Sequence, residues 1–131
     1  MQTQVWCIFD HDGRDRNQLT SLLREAEKHG VEIAFSNPCF EVWRLLHLKS
    51  VSGTFSGVCG NVEQRLPRDY HQVPGGIKYV VPEQIEGGFE TARKRALEMN
   101  GQHPQHQKLP SRDPYTDVYR FVDEGMGVIA Y

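Results

Sequence analysis

The chain has 131 residues, a net charge of −2 and 38% hydrophobic content, enough for one domain with one core and too few for two. That balance excludes the global basic field of an indiscriminate nucleic-acid binder and leaves room only for local basic patches. No apolar run approaches the ~18 residues of a membrane span, and the N-terminus leads into a strand instead of a signal sequence.

Val5 to Phe9 is apolar on both faces, the pattern of a strand buried in a parallel sheet. Asp15 and Gln18 have capping-box spacing, with Asn17 a second candidate N-cap, ahead of a helix reaching about His29. Leu19, Leu22, Leu23 and Ala26 are its apolar stripe, and Gly30 ends it. Val31 to Phe35 is a second strand, so the chain opens with strand, helix, strand, and the crossover should be right-handed. Asn37 as N-cap and Pro38 at the first helical position predict a helix over Cys39 to Lys49, apolar nearly all round and therefore mostly buried. Ser50 to Gly76 has no sustained period, apart from a short helix around Asn61 to Arg65, and Ile77 to Val81 is a short strand or a connector. Pro82 and Glu83 start a helix whose stripe (Ile85, Phe89, Ala92, Ala96, Met99) passes through Gly87–Gly88, where a delay or kink is expected. Asn100–Gly101 stops it. Gln102 to Arg112 is a polar loop, and Asp113–Pro114 repeats the N-cap signature before a last short helix carrying Val118, Phe121 and Val122. The sum is one α/β domain with a small, mainly parallel sheet flanked by helices.

Asp10 and Asp12 carry the clearest chemical signal. In a strand, residues i and i+2 share a face, so both carboxylates should converge where the strand ends. Two close carboxylates resist ionising together unless a cation lies between them, and a hard ion such as Mg²⁺ or Mn²⁺ is the usual partner. The C-terminal end of a strand is also where open α/β sheets place their sites. The plainer alternative is one aspartate capping the next loop and the other in solvent. Glu41 falls at a helix start on the same rim, where it either substitutes for a missing ligand or complements the helix dipole and pairs with Arg44. Lys78 is either a phosphate-contacting cation or a surface lysine. His47 reads as a hydrogen-bonded core histidine, and His11 alternates to the face away from the aspartates. Arg14 and Arg16 either meet nucleic-acid phosphates or balance Asp10, Asp12 and Asp15. Cys39 reads as packing. The odd count and wide spacing of Cys7, Cys39 and Cys59 read as reduced thiols in a cytoplasmic protein.

Two resemblances bear on these residues. Phe9-Asp10-His11-Asp12-Gly13 resembles the first motif of haloacid dehalogenase phosphatases, which implies Asp10 as nucleophile and Asp12 as acid/base; Arg14 stands where that family has Thr. The run Ser36-Asn37-Pro38-Cys39-Phe40-Glu41-Val42-Trp43-Arg44-Leu45-Leu46-His47, following the aspartate strand and a helix, resembles the RloB family. Lys78 fits a Tyr-x-Lys region of that family, and Asp113 to Val118 its Asn-Pro-Ser-Thr-x-Val segment. This resemblance implies a Toprim-like fold, a bacterial phage-defence or restriction-linked setting, and Mg²⁺-dependent cleavage of phosphodiester bonds in RNA or DNA. It implies Asp10 and Asp12 as metal ligands; Glu41, from its place on the rim, and Lys78 are the candidates for further charge stabilisation. In that family a first strand with a glutamate lies upstream of the aspartate strand, so these residues are either the C-terminal part of the family's full length or a degenerate member, and would lack that group on their own. The competing expectation is a non-enzymatic subunit that docks on a partner ATPase or self-associates as a homo-oligomer through an open sheet edge.

Overall fold

The computed structural model describes residues 4–127 and 131. The fold is α/β, built on a three-stranded sheet in the order β1-β2-β3. β1 (Val5–Asp10) and β2 (Val31–Asn37) are parallel, with Val5 opposite Val31 and Asp10 opposite Ser36. β3 is only Tyr115–Thr116 and runs antiparallel to the end of β2, pairing Ser36 with Thr116 and Asn37 with Tyr115. The sheet is therefore mixed, with its longer ladder parallel.

The helix α1 (Arg16–Lys28) joins β1 to β2. Asp15 caps it, its Oδ1 accepting from the Asn17 and Gln18 N–H groups at 3.0 Å each. Asp15→Ala should therefore cost about 1 kcal/mol, read as a lower urea midpoint with an unchanged slope. Only Leu19 of the predicted stripe is fully buried, and Leu22 is 43% exposed.

The expected burial of β1 on both faces does not hold. Val5 is 55% exposed and Ile8 48%, because β1 is an outer strand of the sheet formed by the described residues. The core lies instead around β2, the helix α2 (Glu41–Leu46) and a later long helix. Ala34, Phe35, Val42, Leu45 and Leu46 are all at 0% exposure.

Two Asx–Pro steps take a different role from the predicted helix caps. Asn37 is the last residue of β2, its bond to Pro38 is cis, and α2 begins at Glu41. The Asn37 Nδ2 donates to the carbonyls of Pro110 (3.3 Å) and Arg112 (2.8 Å), tying β2 to the segment before β3. The Asp113–Pro114 bond is also cis, and the Asp113 carboxylate accepts from the Phe55 (3.3 Å) and Gly57 (2.6 Å) N–H groups. Asn–Pro and Asp–Pro favour turns as much as caps, and here the turns win.

The middle of the chain forms short helices, α3 (Cys59–Glu63) and α4 (Arg68–His71), and Ile77 to Val81 is a connector without strand pairing. The helix expected from Pro82 is divided into α5 (Pro82–Ile85) and α6 (Phe89–Asn100). Gly87, at φ +74°, makes the break, and a Cβ on Gly88 would lie 2.7 Å from His47 Cδ2. The glycine pair thus lets α6 close onto α2, where Arg95 donates to the Leu46 carbonyl at 2.9 Å and satisfies the end of that helix.

The last predicted helix is α7 (Val118–Arg120), continued by a π-helical turn over Phe121–Gly125. Its Arg120 binds Glu32 (2.8 Å) and Asp117 (3.3 Å). The buried Asp117 carboxylate also accepts from the Phe35 N–H at 2.7 Å and the Tyr115 hydroxyl at 3.2 Å, which locks β3 and α7 to β2.

Candidate functional site

The rim where β1 ends and α2 begins gathers charge from four separate segments. Asp10 is the last residue of β1. Its carboxyl is held above the ordinary carboxylate range chiefly by burial, with Glu41 and Asp12 pushing the same way, while the Phe40 N–H and the Lys78 ammonium pull it back. Asp12 follows in a turn at φ +47°, and its N–H donates to the Pro38 carbonyl at 3.0 Å. The strand stops before Asp12, so strand alternation does not itself align the two aspartates; the turn sets where Asp12 lies.

Glu41 opens α2 and is only 3% exposed. Its partner is Lys78, not Arg44: the Lys78 Nζ is 3.0 Å from Glu41 Oε1 and 3.8 Å from Glu63 Oε1. The Lys78 side chain keeps 58% of its surface while its tip is held between the two carboxylates. The structure therefore brings Asp10, Glu41 and Lys78 together, with Asp12 at the edge of the same field. Asp10, Asp12 and Glu41 do not close into a three-ligand group with all ligand atoms within 4.8 Å of one another; among the described residues, the group that does is Cys39, Glu41 and Cys59.

Three contributors escaped the sequence reading. Arg44 is 1% exposed and clasps the Lys78 segment: its Nη1 donates to the Ile77 carbonyl, and its Nη2 donates to the Tyr79 carbonyl at 3.5 Å and to Gln84 Oε1 at 2.9 Å. The signal for it was a lone guanidinium inside a helix apolar on nearly every other position, which must find partners when buried. Glu63, on α3, is the second. The third is Cys59, joined to Cys39 by a disulfide, contrary to the expectation of three reduced thiols; only Cys7 is free. Its Sγ lies 3.3 Å from Lys78 Nζ, 3.5 Å from Glu63 Oε1 and 3.7 Å from Glu41 Oε2. A disulfide sulfur has no proton to donate, so the two carboxylate distances are contacts and not hydrogen bonds.

The other candidates fall away from this rim. His47 is a core histidine, as expected. Its Nδ1 meets the Trp43 carbonyl at 2.8 Å, its Nε2 meets the Tyr131 hydroxyl, and burial lowers its pKa. His11 is buried on a different side, lining a cavity with Arg16, Asn37 and Ser111. Arg14 stacks over the Phe9 ring, 4.5 Å from its centroid.

The RloB-like protein family model matches residues 1–124. The chain belongs to the RloB-like family. The Ser36–His47 run that carries the resemblance is the end of β2, the turn and α2, so the most distinctive stretch of this RloB-like chain is also the one that supplies Glu41 and Arg44. The haloacid dehalogenase resemblance rests on Phe9 to Gly13 alone, and the family matched is a different one. Comparison with curated proteins and with solved structures returned no match. Among the described residues, no helix is long and apolar enough to cross a membrane.

Proposed function

We propose that this RloB-like protein is a Toprim-like, Mg²⁺- or Mn²⁺-dependent nuclease of a bacterial phage-defence or restriction-linked locus, acting in the cytoplasm on phosphodiester bonds of RNA or DNA. The observation that carries the reading is the convergence of Asp10, Glu41 and Lys78 from β1, α2 and the 77–79 connector on one rim. The donor set suits a hard divalent cation: Asp10, Asp12 and Glu41 offer only carboxylate oxygens. Burial and two neighbouring carboxylates hold the Asp10 carboxyl above the ordinary carboxylate value, a penalty that a cation beside it would relieve.

A bound ion of this kind supplies an activated water and charge stabilisation for the leaving oxygen. The chain's own residues do the remaining work. Asp10 and Asp12 would hold the ion. Glu41 fixes the Lys78 ammonium, whose exposed flank faces an approaching phosphate. Arg44 positions Lys78 by holding the carbonyls on either side of it.

Asp10→Asn and Asp12→Asn should each abolish Mn²⁺ binding, followed by electron paramagnetic resonance, and cleavage of RNA and single-stranded DNA, while circular dichroism stays native. Unchanged Mn²⁺ titrations in both variants would sink the reading.

One observation favours a second reading, an interaction subunit. β1 is an outer strand with Val5 and Ile8 about half exposed, a surface suited to a partner ATPase or a second copy. A stable dimer in solution, without metal affinity or cleavage, supports this reading over the enzyme.

A further inference from the structure

Beside the carboxylates the site contains sulfur. Cys39 Sγ, Cys59 Sγ and a Glu41 carboxylate oxygen all lie within 4.8 Å of one another. They come from the turn before α2, the start of α3 and the start of α2. Cys39 and Glu41 are 1% and 3% exposed, and Cys59 is half-buried.

In the disulfide form the sulfurs are neutral, and one ammonium, Lys78, meets the one buried carboxylate at 3.0 Å. Reduction upsets that balance. Two electrons from a dithiol reductant convert the Cys39–Cys59 bond into two thiols, and the reductant closes to its own disulfide. Coordination of a divalent ion would displace both thiol protons and set two thiolates beside the Glu41 carboxylate. Asp10 and Glu63 add to the negative field. Arg44 feels Glu41 and Glu63 but spends its donors on Ile77, Tyr79 and Gln84. Without a metal, burial and the neighbouring carboxylates keep such thiols protonated; a divalent cation takes the place of the two protons and meets the carboxylate as well. Two thiolates with one carboxylate are a donor set for a borderline-soft ion such as Zn²⁺ and a poor one for Mg²⁺. Lys78 Nζ lies 3.0 Å from Glu41, so a bound ion would take the place of this ammonium beside the carboxylate.

We propose that the reduced protein binds Zn²⁺ through Cys39, Cys59 and Glu41, with the two thiol protons released to solvent and a water or substrate oxygen in the fourth position. The site takes its other two ligands from sulfur and uses neither Asp10 nor Asp12, although Glu41 borders both.

Co²⁺ is the probe. The full chain is reduced with dithiothreitol, freed of it anaerobically and titrated with CoCl₂. The expected result is thiolate-to-cobalt charge-transfer absorption with intense tetrahedral visible bands, bleached by one equivalent of ZnCl₂ and absent from the oxidised protein. Cys39→Ser and Cys59→Ser should each remove or strongly weaken the charge-transfer band. Glu41→Gln should raise the Co²⁺ midpoint by at least the roughly tenfold that losing an outer-sphere partner alone costs, and Cys7→Ser should change nothing. If the serine variants fold poorly, alkylation of the reduced wild type, counted by mass, decides the matter: Zn²⁺ should protect two thiols and leave Cys7 reactive. A reduced wild type without the band, a band that survives both serine substitutions, or alkylation unaffected by Zn²⁺ overturns the site. Mn²⁺ binding to the oxidised protein, and its loss in Asp10→Asn, tests the nuclease reading separately, so either can fail without the other.

Discussion

Arg44→Ala should cost about 3–5 kcal/mol of folding stability, a large part of what holds a domain of this size together. The guanidinium is 1% exposed and bridges α2 to the 77–79 connector and to α5. Its carbon lies 5.4 Å from the centre of the Tyr70 ring, so truncation also removes packing against α4. Truncation leaves the Ile77 and Tyr79 carbonyls and the Gln84 amide oxygen with a lost donor in a partly buried space. Gln84 also accepts from the Val81 N–H at 3.3 Å, so the start of α5 loosens with it. Arg44→Lys should recover only a minor part, because an ammonium cannot reproduce a planar fork with donors in two directions. Urea unfolding measures both variants. A loss below about 1 kcal/mol for Arg44→Ala would mean that the connector is held by other contacts and that Arg44 does not position Lys78.

Arg44 also illustrates what was legible in the chain. The long elements with a clear period, α1 and β2 and most of α6, followed from apolar spacing and from Asp15 and Gly30. The Ser36–His47 run pointed to the right family. What failed needed information from far along the chain. Five apolar residues from Val5 to Phe9 show that a strand can be buried, but not that it will lie at the outside of the sheet. Asn37–Pro38 and Asp113–Pro114 suit a helix cap and a turn equally, and the choice depends on Pro110, Arg112, Phe55 and Gly57, which the turns contact. β3 has two residues, too few for any alternation to show. Glu41 had a nearby candidate partner in Arg44, yet it pairs with Lys78 from a stretch with no pattern. Cys39 and Cys59 meet across 20 residues of similarly featureless chain. The candidate site was thus visible as a list of charged residues; the pairing among them was not.

Asp10→Asn should make the metal-free protein more stable at neutral pH while removing the metal site. The native pKa of Asp10 is raised above its ordinary 3.8, chiefly by burial and then by Glu41 and Asp12. The folded protein therefore holds the Asp10 proton more tightly than the unfolded chain does. Stability from this group is fully present below 3.8 and is lost as pH rises through the higher native value. Above that window the ionised carboxylate is a net cost to the fold, and an amide of the same shape removes it. Asp117 is also raised, chiefly by burial, but it is common to both proteins and cancels in the difference. The stability difference between Asp10→Asn and wild type, followed by thermal unfolding, should grow through that pH window and then level off. Adding Mn²⁺ should reverse the order at neutral pH: at a hundredfold excess over its Kd the wild type gains about 2.7 kcal/mol, and the variant gains nothing. A variant less stable than wild type without metal would mean that Asp10 supports the fold, most directly through its contact with the Phe40 N–H. A charge that costs stability when empty and repays it only when a cation arrives is better explained by binding than by architecture.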